Sequence, residues 1–195
     1  MTHTPTVATD RLDGWRLVER SEDTPFDVRF LRVVSHTAVY EDAALRETLS
    51  ERAGLDGQWR FFLTSRLRLL PSPPGSAALS RLVAGRATDA FERRLQERGF
   101  ERVARADARP FRRGDGTEAR LTRFAARCPV AGLDLDVEAW LAVWDGDADG
   151  EFLVAGGAYP RRVVSSESTV AAEVESQFDP GRFKRELFDL VRAVE

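Results

Sequence analysis

Leu135-Asp136-Val137-Glu138-Ala139-Trp140-Leu141-Ala142-Val143-Trp144 places apolar side chains on both sides of an extended chain. Val137, Ala139, Leu141 and Val143 fall on one side, and Trp140, Ala142 and Trp144 share the other with Glu138. A strand with one wet face alternates apolar and polar residues, so a strand that is apolar on both sides belongs in the middle of a sheet covered twice. The turn formers Asp145 to Gly150 follow, and then Glu151 to Tyr159, apolar again. Two such runs around a Gly/Asp turn read as a hairpin, and the sheet is therefore antiparallel at its centre.

The same logic extends in both directions. Phe100 to Arg112 and Glu118 to Cys128 flank a turn at Gly114-Asp115-Gly116. Trp59 to Leu70 alternates, with Trp59, Phe61, Leu63, Leu67 and Leu69 on one face and Arg60, Thr64, Arg66 and Arg68 on the other, interrupted by Phe62. Upstream, Trp15 to Glu19 reads as a short strand, residues 20–27 with Pro25 as a loop, and Val28 to Tyr40 as a long strand. Three helices are expected. Glu41-Asp42 opens one that runs to about Arg52 and closes at Gly54. Ser76, after the stiff Pro71-Ser72-Pro73-Pro74-Gly75 connector, caps the longest, which ends at Gly99. Asp179-Pro180 starts the last, with Phe183, Leu187, Leu190, Val191 and Val194 on one face. Pro160 to Phe178 reads as a long polar connection, and residues 1–10 as a flexible N-terminal tail.

Hairpins outnumber helical crossovers. The expected fold is therefore α+β: a largely antiparallel β-sheet with helices packed on its faces, in a single domain over residues 11–195. The order of elements resembles the PsbP-like α/β sandwich, which implies an interaction module and carries no site residues with it. Residue usage points to a GC-rich genome: the chain has 28 arginines, one lysine (Lys184), no isoleucine and no asparagine. In this it resembles small uncharacterised proteins of halophilic archaea.

Composition excludes several classes. Hydrophobic residues at 43% and charged residues at 31% mark a soluble globular chain. The single cysteine, Cys128, permits no intramolecular disulfide, and a cysteine metal cluster would need several chains. Met1 to Asp10 has neither the basic start nor the apolar run of a signal peptide, and no stretch reaches the roughly 18 apolar residues of a membrane span. A cytoplasmic protein is expected, with no membrane contact. Charge is segregated along the chain. Residues 59–127 hold 16 arginines and 7 acids, net +9, between flanks of net −4 and net −8. Such blocks either form an anion-binding face or pair with each other in the fold.

Few residues suggest chemistry. Asp145, Asp147 and Asp149 match the opening of a calcium loop, but Gly156 stands where its bidentate glutamate belongs and the flanks read as strands, so a solvated turn competes. His36 and Cys128 are the materials of a nucleophile–base pair, and Asp134 and Asp136 share one strand face. No nucleophile elbow, dinucleotide fingerprint or phosphate loop occurs, and no cofactor is expected. The positive block nominates Arg60, Arg66, Arg68, Arg93, Arg94, Arg98, Arg112 and Arg113 as anion ligands, because guanidinium forks suit phosphate. Three functions stay open: a non-enzymatic binding or interaction domain with an unknown, possibly protein, partner; nucleic-acid or polyanion binding through residues 59–127; and a small hydrolase-type enzyme around His36, Cys128 or Asp134 and Asp136.

Overall fold

The computed structural model describes residues 4–28, 31–165 and 169–195. Seven strands form one antiparallel sheet: β1 (Trp15–Val28), β2 (Leu31–Asp42), β3 (Phe61–Leu70), β4 (Glu101–Arg112), β5 (Glu118–Val130), β6 (Leu133–Asp145) and β7 (Glu151–Ser165). Their order across the sheet is β1-β2-β3-β7-β6-β5-β4, so β3 and β7 meet at the centre. Helices α1 (Ala43–Ala53), α2 (Ala77–Glu97), α3 (Thr169–Ser176) and α4 (Pro180–Arg192) complete the α+β domain.

β6 is the twice-covered strand that its sequence announces. Trp140, Leu141, Ala142 and Trp144 are all buried. The β5–β6 turn, Ala131-Gly132, has positive φ at both residues (50° and 82°), the mirror-image turn that matches strand twist. The two pleat faces receive different helices. Phe124, paired with Ala139 in the ladder, meets Phe91 of α2 at a ring separation of 5.4 Å. Trp140, one residue on and pointing the other way, meets Phe188 of α4 at 5.1 Å. Gly157 permits the close seat of α4: a Cβ there would lie 2.2 Å from the Phe61 carbonyl oxygen and 3.0 Å from Leu187. Side-chain caps start the helices as their sequences imply, with Asp42 accepting from the Leu45 amide, Ser76 from Leu79 and Asp179 from Arg182.

Three expectations need correction. Residues 20–27 continue β1 rather than forming a loop, with register slips between Leu17 and Glu19 and between Asp23 and Phe26. An edge strand has one side of its backbone free, so it tolerates polar residues and Pro25 where a central strand does not. The 160–178 connection contains the end of β7 and all of α3, whose Val174 is fully buried. Residues 4–10 are tied down: Thr6 and Glu195 exchange backbone hydrogen bonds of 3.0 and 2.9 Å, Val7 bridges Val194, and Pro5 is buried. The rest of the expected tail, residues 1–3, lies outside the described residues. Among the described residues no helix is long and apolar enough to cross a membrane.

Candidate functional site

A cleft of about 560 Å³ opens between the segment Asp10–Trp15, the start of α1 and the outer face of α4. Arg60 forms its floor. This side chain is 2% exposed, the extreme case of a charge taken out of water. Its Nη1 donates to Asp42 Oδ2 at 2.7 Å and to Glu186 Oε2 at 2.9 Å, and its Nη2 donates to the Phe183 carbonyl oxygen at 3.4 Å. The guanidinium carbon lies over two rings, 4.1 Å from the centre of Phe183 and 5.0 Å from that of Trp15. Such stacking and forked bonding are particular to arginine. Asp42 serves twice, since its other oxygen caps α1. The local sequence explains the arrangement. Arg60 lies within Trp59-Arg60-Phe61-Phe62, and a charge inside an apolar run must find partners.

The cleft rim is acidic. Asp10, Asp13, Asp42, Glu186 and Asp189 line it against Arg11, Arg60 and Arg182. Asp13 is exposed and has no ion-pair or hydrogen-bond partner among the described residues, whereas Asp189 is shared with Arg192 at 3.0 Å.

The other nominated arginines separate in space, and most carry a carboxylate partner. Arg66 and Arg68 share Glu151 at 2.6 and 3.9 Å, Arg94 reaches Asp23 at 3.5 Å, Arg98 bonds Glu19, and buried Arg113 bonds Asp115 and the Val194 carbonyl oxygen. With Arg60, six of the eight therefore carry carboxylate partners; Arg93 and Arg112 are exposed. Across the whole block nine of the 16 arginines have carboxylate partners among the described residues, most of them acids of the flanking segments.

The hydrolase set is not assembled. His36 on β2 and Cys128 on β5 have three strands between them and project from opposite faces. His36 Nδ1 faces Glu22 at 3.6 Å. Asp136 pairs with Arg162 at 2.7 Å and Arg127 at 3.4 Å, on the face away from Cys128. Cys128 does line a second cavity of about 270 Å³ with Trp59, Phe61, Phe100 and Val137, but burial pushes its thiol up to about 11, far from a thiolate at neutral pH. Asp145, Asp147 and Asp149 lie in a closed hairpin turn: Gly146 N–H donates to the Glu151 carbonyl oxygen at 2.8 Å, and Asp145 accepts from Ser80. Among the described residues no three His, Cys, Asp or Glu side chains are placed to hold a metal ion.

A matching family model spans residues 4–195, and the chain belongs to that family, the domain of unknown function DUF6517. No curated protein and no solved structure matches the chain.

Proposed function

We propose that this chain is a non-enzymatic binding domain whose principal site is the Arg60 cleft, and that the ligand or protein segment it takes is positively charged. The observation that carries this is the acid excess around a preorganised floor. Arg60 is fully occupied by Asp42 and Glu186, and of the rim carboxylates Asp10 meets Arg11 and Asp189 meets Arg192, which leaves exposed Asp13 without a partner among the described residues and Asp189 half-shared at the opening. Charge complementarity at a concave site selects partners and speeds encounter. Half-buried Trp15 adds an aromatic wall.

Calorimetric titration with hexalysine and with hexaglutamate tests the proposal. Saturable binding of hexalysine that weakens about tenfold in the Asp13→Asn/Asp189→Asn double variant is expected, on the order of the loss of one charge-assisted bond. Equal binding of both peptides, or no change in the double variant, contradicts it. Polyanion binding by the eight arginines of the positive block has less support, because the carboxylates that pair with six of them must be displaced first.

A further inference from the structure

On the α4 side of the sheet a different set of cations gathers, from elements far apart in sequence. Glu138 is the focus. It is 9% exposed, and its Oε1 accepts from the Tyr159 hydroxyl at 2.6 Å and from Trp140 Nε1 at 2.9 Å. Its Oε2 faces Arg123 of β5 at 3.7 Å and Arg161 of β7 at 4.0 Å, both beyond hydrogen-bond length. Two more cations lie against the indole that Glu138 holds: Lys184 of α4, with Nζ 4.7 Å from the ring centre, and Arg109 of β4, at 5.3 Å. Neither has a carboxylate partner among the described residues. Arg123 is also bonded to Asp107 at 2.8 Å. Four cations thus share two carboxylates, one of them buried.

We propose that Arg109, Arg123, Arg161 and Lys184 form a second binding site, separate from the Arg60 cleft, for a phosphate-bearing ligand. Three guanidinium forks and one ammonium converge from β4, β5, β7 and α4 onto one patch, which suits a multiply charged tetrahedral anion better than a single carboxylate. Glu138 and Tyr159 position the patch without closing it: Oε1 is spent on internal donors, and Arg123 and Arg161 keep free N–H groups. Arg161 is 58% exposed and Arg123 38%, so an incoming anion meets them without displacing a helix. Trp140 and Tyr159 are themselves buried, so the patch offers no ring on which a nucleobase stacks, and recognition is of phosphate groups.

The test uses the full ¹⁵N-labelled chain, with the Trp140 indole N–H resonance, assigned by Trp140→Phe, as reporter. Inorganic phosphate, tripolyphosphate and a short oligothymidylate are titrated at two salt concentrations. The site predicts a saturable, salt-sensitive shift with tripolyphosphate binding tighter than phosphate. Arg161→Ala and Lys184→Met each weaken it about tenfold or more, while Arg93→Ala, which removes an exposed arginine on α2, leaves it unchanged. If only the oligothymidylate produces the shift, and Arg161→Ala weakens it, the phosphates are those of a nucleic-acid backbone. No shift with any probe overturns the proposal, as does an equal loss in Arg93→Ala. Arg161→Ala alone suffices if Lys184→Met fails to fold.

Discussion

Asp42 binds two partners with its two carboxylate oxygens: Oδ1 caps the first turn of α1 through the Leu45 amide, and Oδ2 holds the buried Arg60 guanidinium at 2.7 Å. One side chain therefore ties a helix start to the floor of the cleft. Breaking a buried pair by removing one partner leaves the other charged and unsolvated. Arg60→Met is expected to cost about 3–5 kcal/mol in chemical denaturation. Arg60→Lys recovers little of that, because an ammonium has no second nitrogen to reach the Phe183 carbonyl oxygen while the first holds Asp42 and Glu186, and no planar group to lie over Phe183 and Trp15.

Two glycines make opposite predictions. Gly157→Ala drives a methyl group to 2.2 Å from the Phe61 carbonyl oxygen and 3.0 Å from Leu187, both fixed by the sheet and α4. It should destabilise by about 3 kcal/mol or more, or prevent folding. Gly85, in α2, meets nothing within 4 Å of a built Cβ. Gly85→Ala should therefore raise stability by about 1 kcal/mol, the helix-propensity difference. Urea midpoints of the two variants check both signs.

Tyr159 holds its proton above the ordinary range near 10, first because it is buried and then because it donates to Glu138. A raised folded value means that the stabilisation is complete below pH 10 and is lost as pH rises beyond it. Tyr159→Phe leaves Glu138 Oε1 with Trp140 alone and should cost about 1–3 kcal/mol at neutral pH. The gap between wild type and variant should narrow as denaturation is repeated above pH 10. A gap independent of pH there rules out the phenol as its source.

Cys128 is buried, with its thiol pushed up to about 11 by desolvation and then by the charge of Glu101. A disulfide reagent at pH 8 should label it slowly in the native protein and at once in denaturant. Fast native labelling would show that the cavity it lines is open.

Antiparallel architecture was legible because β6 and β7 bracket a Gly/Asp turn and β6 is apolar on both faces. The extension of β1 through residues 20–27 was not, since an edge strand needs no apolar alternation and polar composition there mimics a loop. Helix α3 was hidden because only its Val170, Ala171 and Val174 side face the body, within Ser- and Glu-rich sequence. The cleft was the least legible part. Arg60 was visible as a charged residue in an apolar run, but its partners Asp42, Phe183 and Glu186 come from a helix cap and from a helix more than a hundred residues away. Charge segregation along the chain left both an anion-binding face and pairing between blocks open; it did not indicate that Arg109, Arg123, Arg161 and Lys184 would meet around Glu138, because Arg161 and Lys184 lie in the acidic C-terminal block.

Amide chemical-shift mapping with hexalysine on the full labelled chain tests the binding role of the cleft most directly. The shifts should concentrate at Asp10 to Trp15, Ala44 to Thr48 and Arg182 to Leu190, around the Arg60 floor. Shifts confined to other surfaces, or none at concentrations where the chain remains folded, would contradict it.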